Sequence, residues 1–413
     1  VIVNHGQVEG ISAIAWPQTS WSAKELKANP EHTHRDAYNS LQQAVYPWSQ
    51  PFNLPIEEAR LYLRHLTVQR HELLAVFLRG ATTEPESNYQ VACEYLGLTP
   101  EEASIVSGST TGGSTSPGSN PGAWNFWGLN ETSNYVPDPV DGSAGEAQGV
   151  WGAVLRRVSI FLQRSGLSYR ESLDLLDTYY VNPPNVDGPN ERTVGIVSTD
   201  STNPMTCNTA KLALYAVGND PLAYEAAYAS AHRFVRLARK LGWPMRDLDK
   251  AISAFAPRNS GGAPDMTEGF LVQLSHLQRL SAGTRIPVAN LLSLWAEIDH
   301  VRYIDHLSDG EPAVPSLYAQ MFISKTLNKT GFPENPNDLA NRNISDHIAA
   351  ISAAYGIGAD DVQRLHADAL VVPRIQDPLH AASTIQDDRL SLANLSRLYR
   401  HALLARIVGL PVR

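Results

Sequence analysis

Apolar residues recur along most of this chain at the spacing of amphipathic helices, three or four residues apart on one face. The clearest example covers residues 222–241, where five apolar residues from Ala227 to Leu241 share a face. Further helices are predicted over about 56–79, 151–164, 168–180, 269–281, 288–299, 344–355 and 389–408. Alternating, strand-like stretches are scarce, and the best candidate is the short run 192–197. The pattern therefore predicts an all-α fold.

A short junction recurs between these helices and predicts how each one ends. Basic residues are followed by Gly, an apolar residue, then Ser, Thr or Pro, and an acidic residue, as in 164–171. Gly favours the left-handed conformation that ends a helix, and basic side chains suit its negative end. Ser, Thr and Pro then start the next helix. Other copies, some of them looser, lie at 97–102, 239–248, 285–291, 356–362 and 406–411. Because their spacing is irregular, we predict an irregular stack of helix–corner–helix units.

Two polar stretches interrupt the helical pattern and predict the domain organisation. We expect loop-rich insertions at about 104–150, which includes a Ser/Gly tract, and at about 182–210, which is rich in Pro and Asn. Both would belong to one helical domain at 51–413, preceded by a loosely structured N-terminal extension at 1–50. The last junction announces a helix that the sequence does not contain, and the chain lacks an initiator Met. We therefore expect a piece of a larger protein.

Composition excludes several classes of protein. The chain of 413 residues carries a formal net charge of −9, with 33 Lys and Arg against 42 Asp and Glu. An acidic chain lacks the electrostatic footprint of a nucleic-acid binder. Its two cysteines cannot build a disulfide framework or a Cys-rich zinc site. No apolar run approaches the roughly 20 residues that a membrane span needs.

Candidate metal and phosphate sites are weak in this sequence. His32 and His34 could be metal ligands with His65 and His71, but no carboxylate or cysteine cluster completes a site, so we expect exposed histidines. The Gly-rich tract 108–113 lacks the Gly-Lys-Ser/Thr ending and the preceding strand of a phosphate-binding loop. We predict no cofactor and no metal.

Candidate catalytic groups are equally weak. No Gly-x-Ser-x-Gly elbow occurs in a strand–turn–helix setting, so a hydrolase triad has no anchor. The carboxylate pairs 57–58, 101–102 and 387–388 lie near predicted helix starts, where the helix dipole explains them. Cys93 lies among apolar neighbours and is expected to be an inert core thiol. We predict that the protein is not an enzyme, with an unrecognised hydrolase as a rival.

An aromatic cluster in the first insertion leaves two interpretations open. Trp124, Phe126, Trp127 and Tyr135 lie beside the flexible tract, and flat amphipathic rings make good contact surfaces for a ligand or glycan. Alternatively, the same rings pin the insertion to the helical body. We favour the second interpretation, and we keep a receptor- or glycan-binding module as the alternative function.

Several blocks of this sequence resemble the A component of bacterial toxin complexes (Tc toxins), including its virulence-plasmid A protein region. The matching blocks occur in one order over roughly 45–413, and their combination is more specific than any single block. They include Phe52–Pro55 with Arg60–Leu63, Glu94–Thr99, Phe161–Tyr169, Arg233–Trp243, Leu291–Asp299, Pro315–Tyr318 and the distinctive Leu390–Arg406. The Ser/Gly tract and the Pro/Asn-rich insertion depart from the family, and residues 1–44 match nothing that we can place.

The resemblance implies a non-catalytic role in a secreted or surface-exposed bacterial toxin, insecticidal or otherwise virulent, that acts on host cells. Members of the family form homopentamers in which a helical shell surrounds a channel, and a pH change opens the shell. Partner components, called B and C, carry a toxic enzyme that passes through the channel, and a host receptor or glycan attaches the particle. This chain resembles part of the shell. Because the pentamer is held largely by other regions, we expect this chain alone to be a monomer or weak dimer.

Histidines are candidates for the pH response that the resemblance implies. Charging of a histidine near pH 6 can weaken packing or an interface. The candidates that lie in or beside predicted helices are His65, His71, His232, His276 and His306, with His300 and His401 as further members of the set. We expect most of them to be exposed or satisfied and to have no switching role.

Overall fold

The computed structural model describes residues 22–28, 35–78, 88–109, 121–184, 192–260, 262–323, 331–339, 342–377 and 383–412. This part of the chain is mostly helical. Its helices are α1 (Ala23–Ala28), α2 (Arg35–Gln43), α3 (Leu54–His65), α4 (Arg70–Phe77), α5 (Tyr89–Tyr95), α6 (Pro100–Ser107), α7 (Trp151–Leu155), α8 (Val158–Ser165), α9 (Tyr169–Leu176), α10 (Pro221–Leu241), α11 (Met245–Phe255), α12 (Glu268–Thr284), α13 (Val288–Leu291), α14 (Leu317–Phe322), α15 (Ile348–Tyr355), α16 (Ala359–Ala367) and α17 (Leu392–Val408).

Short antiparallel strand pairs accompany the helices, so the expected all-α class is only partly right. The pairs are β1 (Asn134–Asp138) with β2 (Gly142–Gly149), β3 (Val194–Ser198) with β4 (Leu212–Ala216), β5 (Tyr303–Ile304) with β6 (Ala313–Val314), and β7 (Arg374–Gln376) with β8 (Thr384–Gln386). The strand predicted at 192–197 is confirmed as β3. The first insertion expected to be loop-rich contains the β1–β2 hairpin, and the second contains β3, whose partner β4 begins just after the predicted end of that insertion. Pairing satisfies backbone groups that no helix covers.

The predicted helix corners are confirmed. The glycines at 97, 166, 242, 356 and 409 all have φ between 64° and 76°, the left-handed region that ends a helix. Capping boxes start α6 at Thr99 with Glu102 and α9 at Ser168 with Glu171. The junction at 285–291 has no Gly at this position, and Arg285 itself takes the left-handed conformation that ends α12, with φ 59°. The local chemistry of the junctions therefore determines where these helices end.

Basic residues at the helix ends link one corner to another. Arg239 at the end of α10 donates to the backbone oxygens of Ser165 and Gly166, both at 3.0 Å, which close α8. Arg406 near the end of α17 donates to the Tyr355 oxygen at 2.8 Å, which closes α15. The sequence predicts that these side chains stabilise the ends of their own helices. In the structure they instead donate to the unsatisfied carbonyls at the end of a neighbouring helix, and these contacts connect α10 to α8 and α17 to α15.

Some predicted helices are shorter or divided. The helix predicted at 56–79 breaks into α3 and α4 around Thr67, which has φ 59°. The predicted 151–164 helix divides into α7 and α8, and the predicted 288–299 helix reduces to α13 and a 3₁₀ turn at Leu292–Leu294. The apolar face predicted for 56–79 is only partly covered by the described residues: Ala59, Leu63 and Leu73 are partly buried, whereas Leu66 and Phe77 are 65% and 80% exposed.

The core has two clusters, and α10 lies at the centre of the first. Buried side chains from Trp48 to Leu292 form the first cluster, and those from Ile298 to Leu403 form the second. All five apolar residues predicted to share one face of α10 are buried. Partly buried side chains that pack against both clusters are Ile286, Leu294 and Ile407.

Residues 45–50 are docked on this core rather than loose. Trp48 is 8% exposed, and its indole nitrogen donates to the Phe126 oxygen at 2.6 Å. The Arg236 guanidinium, in α10, donates to the backbone oxygens of Val45 and Gln50. The expected N-terminal extension at 1–50 therefore does not continue as a loose segment to its predicted end.

Candidate functional site

The aromatic patch of the first insertion is largely internal. Phe126 and Trp127 end a 3₁₀ turn at Ala123–Trp127, and both are 0% exposed. The Trp127 ring meets Trp48 edge-on with 4.8 Å between centroids, and it also contacts Phe161 and Tyr228. The prediction that these two rings form part of a ligand-binding surface is wrong, because an external ligand cannot reach them in this packing. They pin the insertion to the helical body, as our favoured interpretation expected.

The other two aromatic residues lie at different depths. Trp124 is half-buried, whereas Tyr135 in β1 alternates with buried neighbours and is 67% exposed. The four rings therefore do not present one surface, and a stacking platform for a glycan needs its rings on a common face.

His232 lies directly beneath this aromatic cluster. It belongs to α10, is 1% exposed, and stacks on the Phe126 ring with 4.2 Å between centroids and 8° between planes. Its Nδ1 is buried without a hydrogen-bond partner among the described residues. Burial, followed by the charges of Arg236 and Arg233, holds the pKa of His232 well below its ordinary value. The folded structure therefore accommodates this imidazole in its neutral form.

The charged groups around His232 oppose its protonation. Arg236 is 7% exposed, and burial lowers the pKa of this guanidinium to about 10, so it stays charged at neutral pH. Arg233 donates to Asp265 at 2.8 Å and to the Val106 oxygen at 2.7 Å. Glu102, the other nearby acid, pairs with Lys240 at 2.8 Å. A charged His232 would therefore place a third positive charge beside Arg233 and Arg236. The nearby carboxylates, Asp265 and Glu102, are already paired with Arg233 and Lys240.

His306 has the opposite surroundings. It follows β5, is 8% exposed, and places Nε2 3.0 Å from Asp177 Oδ2 and Nδ1 3.6 Å from Glu311 Oε2. Its backbone N–H donates to Asp174 at 3.1 Å. These contacts tie the 303–314 segment to the end of α9.

The remaining predicted histidines do not join either group. His71 in α4 is partly buried and meets Tyr95 edge-on at 5.0 Å, and burial with the nearby Arg279 lowers the pKa of His71. His276 in α12 is half-buried, and His65 at the end of α3 is exposed. His300 and His401 are also exposed. The structure thus separates the predicted set, and His232 is its most deeply buried member.

A buried carboxylate that sequence reasoning missed lies between the two cores. Asp249 in α11 is 0% exposed and accepts hydrogen bonds from the backbone N–H groups of Tyr179 and Tyr180 and from the Tyr303 hydroxyl, each at 2.8 Å. The sequence feature that could have indicated this carboxylate is its position among apolar residues of α11, between Leu248 and Ile252. A charged residue within such a run requires dedicated partners.

The predicted catalytic and metal candidates make structural contacts where they are described. Cys93 is buried and its pKa is raised to about 12, as expected for an inert thiol. Glu102 closes a capping box, and Asp387 binds Arg389 at 2.7 Å. Within the described ranges no three or more His, Cys, Asp or Glu side chains gather to hold a metal ion. His32, His34 and most of the 108–113 tract lie outside those ranges.

Over the part of the chain that is described, no helix combines the length and hydropathy needed to cross a membrane. No known family model matches the chain, and no characterised protein is significantly similar to it.

Proposed function

We propose that this chain is a non-catalytic helical shell segment of a Tc-toxin A-type subunit, and that acid weakens it at His232. The observation that carries the pH response is the neutral, buried imidazole stacked under Phe126. The assignment to the toxin family rests on the resemblance of the sequence blocks at 45–413. Homopentamer formation, cooperation with B and C components and attachment to a host receptor or glycan follow from that assignment.

The architecture supports a scaffold role for the blocks that carry the resemblance. Arg233–Trp243 contains the end of the central helix α10 and its corner, and Leu390–Arg406 contains most of α17. The corners between helices are fixed by capping and by arginines that reach from one corner to the next. An extended wall of helix pairs, as the proposal requires, would depend on such contacts between neighbouring units.

The ring geometry leaves no basis for retaining the glycan-binding alternative at Trp124–Trp127. Two of the four rings are internal, and a third is half-buried, so only Tyr135 offers a largely exposed aromatic face. Attachment to a receptor, within this proposal, uses other surfaces of the whole subunit.

The family assignment is tested on the complete open reading frame that contains this sequence. Its product should form particles with five-fold symmetry and a central channel when examined by electron microscopy at neutral pH. The proposal predicts that these particles open when the pH is changed. A product that remains monomeric and shows no channel would overturn the assignment, although the acid response of His232 would still need its own test.

A further inference from the structure

A lysine and an aspartate are buried in direct contact between the two cores. Lys250 Nζ in α11 lies 2.7 Å from Asp299 Oδ2, and the two side chains are 8% and 9% exposed. Two other lysine–carboxylate pairs have similar distances and carboxylates that are 11% exposed, but their lysines are more accessible to water. Lys211 with Asp200 and Lys240 with Glu102 are both at 2.8 Å, and these lysines are 49% and 36% exposed. Burial therefore distinguishes the pair at Lys250.

The carboxylate is held in a fixed orientation toward the amine. Asp299 Oδ1 accepts the Val301 N–H at 3.1 Å, and Oδ2 accepts the Leu317 N–H at 3.4 Å. The Tyr303 ring covers the amine, with Nζ 5.3 Å from its centroid. Reacting groups held in contact and shielded from water gain a large effective concentration, on the order of 10⁵ M or more in well-oriented cases.

Two further carboxyl groups of α11, those of Asp247 and Asp249, lie close to Lys250 in the sequence. Asp247 lies one helical turn before Lys250 on the same face of α11, and its carboxyl senses the charges of both Lys250 and Asp299. Burial raises the pKa of Asp247, which favours its protonated form relative to an exposed aspartate. The neighbouring Asp249 is committed to Tyr179, Tyr180 and Tyr303.

We propose that Lys250 and Asp299 condense into an intramolecular isopeptide bond. The pair costs desolvation of two charges, whereas the product is one neutral amide. The bond would connect α11 in the first core to the segment that follows Ile298 in the second core.

The reaction balances without any further reagent. A proton moves from the Lys250 ammonium to the Asp299 carboxylate, leaving a neutral amine and a carboxylic acid. The amine lone pair attacks Cγ of Asp299, and the nitrogen passes a proton to the departing Oδ2, which it already contacts at 2.7 Å. The C–O bond breaks, and one water molecule leaves. Oδ1 remains as the amide oxygen, still placed to accept the Val301 N–H.

The test is the mass of the purified, denatured wild-type chain, followed by tryptic mapping. The proposal predicts an intact mass lower than the sequence mass by one water molecule. It also predicts a branched peptide that joins residues 247–258 to residues 286–302, because trypsin cannot cleave after a linked Lys250. Unlinked peptides for both regions, at full mass, would overturn the proposal. So would a loss of water located elsewhere, such as a succinimide at Asp141 or Asp309, each of which precedes Gly.

Variants test the identity of the bond. Asp299→Ala removes the reacting carboxyl group and should restore the full mass. Asp200→Ala, which removes the partner of Lys211, is the matched control and should keep the loss of water. Linkage in Asp299→Ala would contradict the identity of the bond.

Discussion

Individual buried side chains set the pH response of this molecule. His232 is neutral in the fold and would be free to charge in the unfolded chain, whose histidine pKa is about 6.5. Since the folded pKa is lowered, the unfolded state binds more protons as the pH falls below 6.5. The contribution of His232 is therefore fully present above that pH and is lost progressively toward the folded pKa.

Replacing His232 with Phe should reduce the acid sensitivity. The variant keeps a ring against Phe126 and removes the titrating group. Wild-type stability should fall by up to about 1.4 kcal/mol per pH unit more steeply than the variant's below pH 6.5. Urea unfolding at pH 7.5, 6.5 and 5.5 measures the two slopes. His401→Phe, on the exposed side of α17, is the matched control and should retain the wild-type slope; equal slopes in all three proteins would contradict this role of His232.

At the scale of elements, sequence predicted the corners better than the segments between them. Gly, Ser, Thr and Pro act through local backbone geometry, so the corner at 166–168 could be read directly from the chain. The β1–β2 hairpin could not, because its strands are rich in Gly and Pro and low in β-branched residues. The break at Thr67 likewise has no Gly to mark it. The pairing of Arg239 and Arg406 with distant carbonyls depends on packing, which periodicity does not encode.

Substitution by Ala should change the free energy of unfolding in opposite directions at a corner glycine and at a glycine within a helix. Gly242→Ala should destabilise by about 1–2 kcal/mol, because φ 64° is strained for any residue with a Cβ. Gly283→Ala, within α12 and with open space around the added Cβ, should stabilise by about 0.5 kcal/mol. Chemical denaturation of both variants gives the two signs. Stabilisation by Gly242→Ala would contradict the corner conformation.

The link between corners should be measurable at Arg406. Arg406→Met keeps the apolar stem and removes the donor to the Tyr355 oxygen, at an expected cost of about 1–2 kcal/mol. The control is Arg397→Met in the same helix, which loses only a local contact with Asn394 and should change stability by less than about 0.5 kcal/mol. Thermal or urea unfolding of the two variants compares them. Equal losses of stability in the two variants would contradict the prediction that the Arg406 contact with the Tyr355 oxygen stabilises the fold.

At the scale of the whole molecule, α10 connects separate parts of the first core. One face of this helix packs apolar residues, while His232, Arg233 and Arg236 contact the aromatic turn, the end of α6 and residues 45–50. The sequence predicted the apolar face and placed His232 in the helix. It could not predict that a segment nearly two hundred residues away would supply the acceptors of Arg236, because such contacts arise only when the chain has folded.

Removing the Arg236 guanidinium should release residues 45–50 selectively. Arg236→Met leaves the carbonyls of Val45 and Gln50 without this donor. Hydrogen exchange followed by mass spectrometry should show faster exchange at 44–52 and no change in the second core, for example in α14 and α17. Uniform acceleration across both cores would mean that Arg236 supports the fold as a whole and does not act as a local tether.

The most direct test of the acid response is near-ultraviolet circular dichroism of this chain between pH 7.5 and 5, with the far-ultraviolet signal recorded in parallel. The cluster of Trp48, Trp127, Trp151 and Tyr228 around Phe126 and His232 should contribute strongly to the near-ultraviolet signal. We expect that signal to weaken below pH 6.5 in the wild type while helical content is retained, and to persist in His232→Phe. A wild-type aromatic signal that stays constant to pH 5 would contradict the proposed acid-sensitive role.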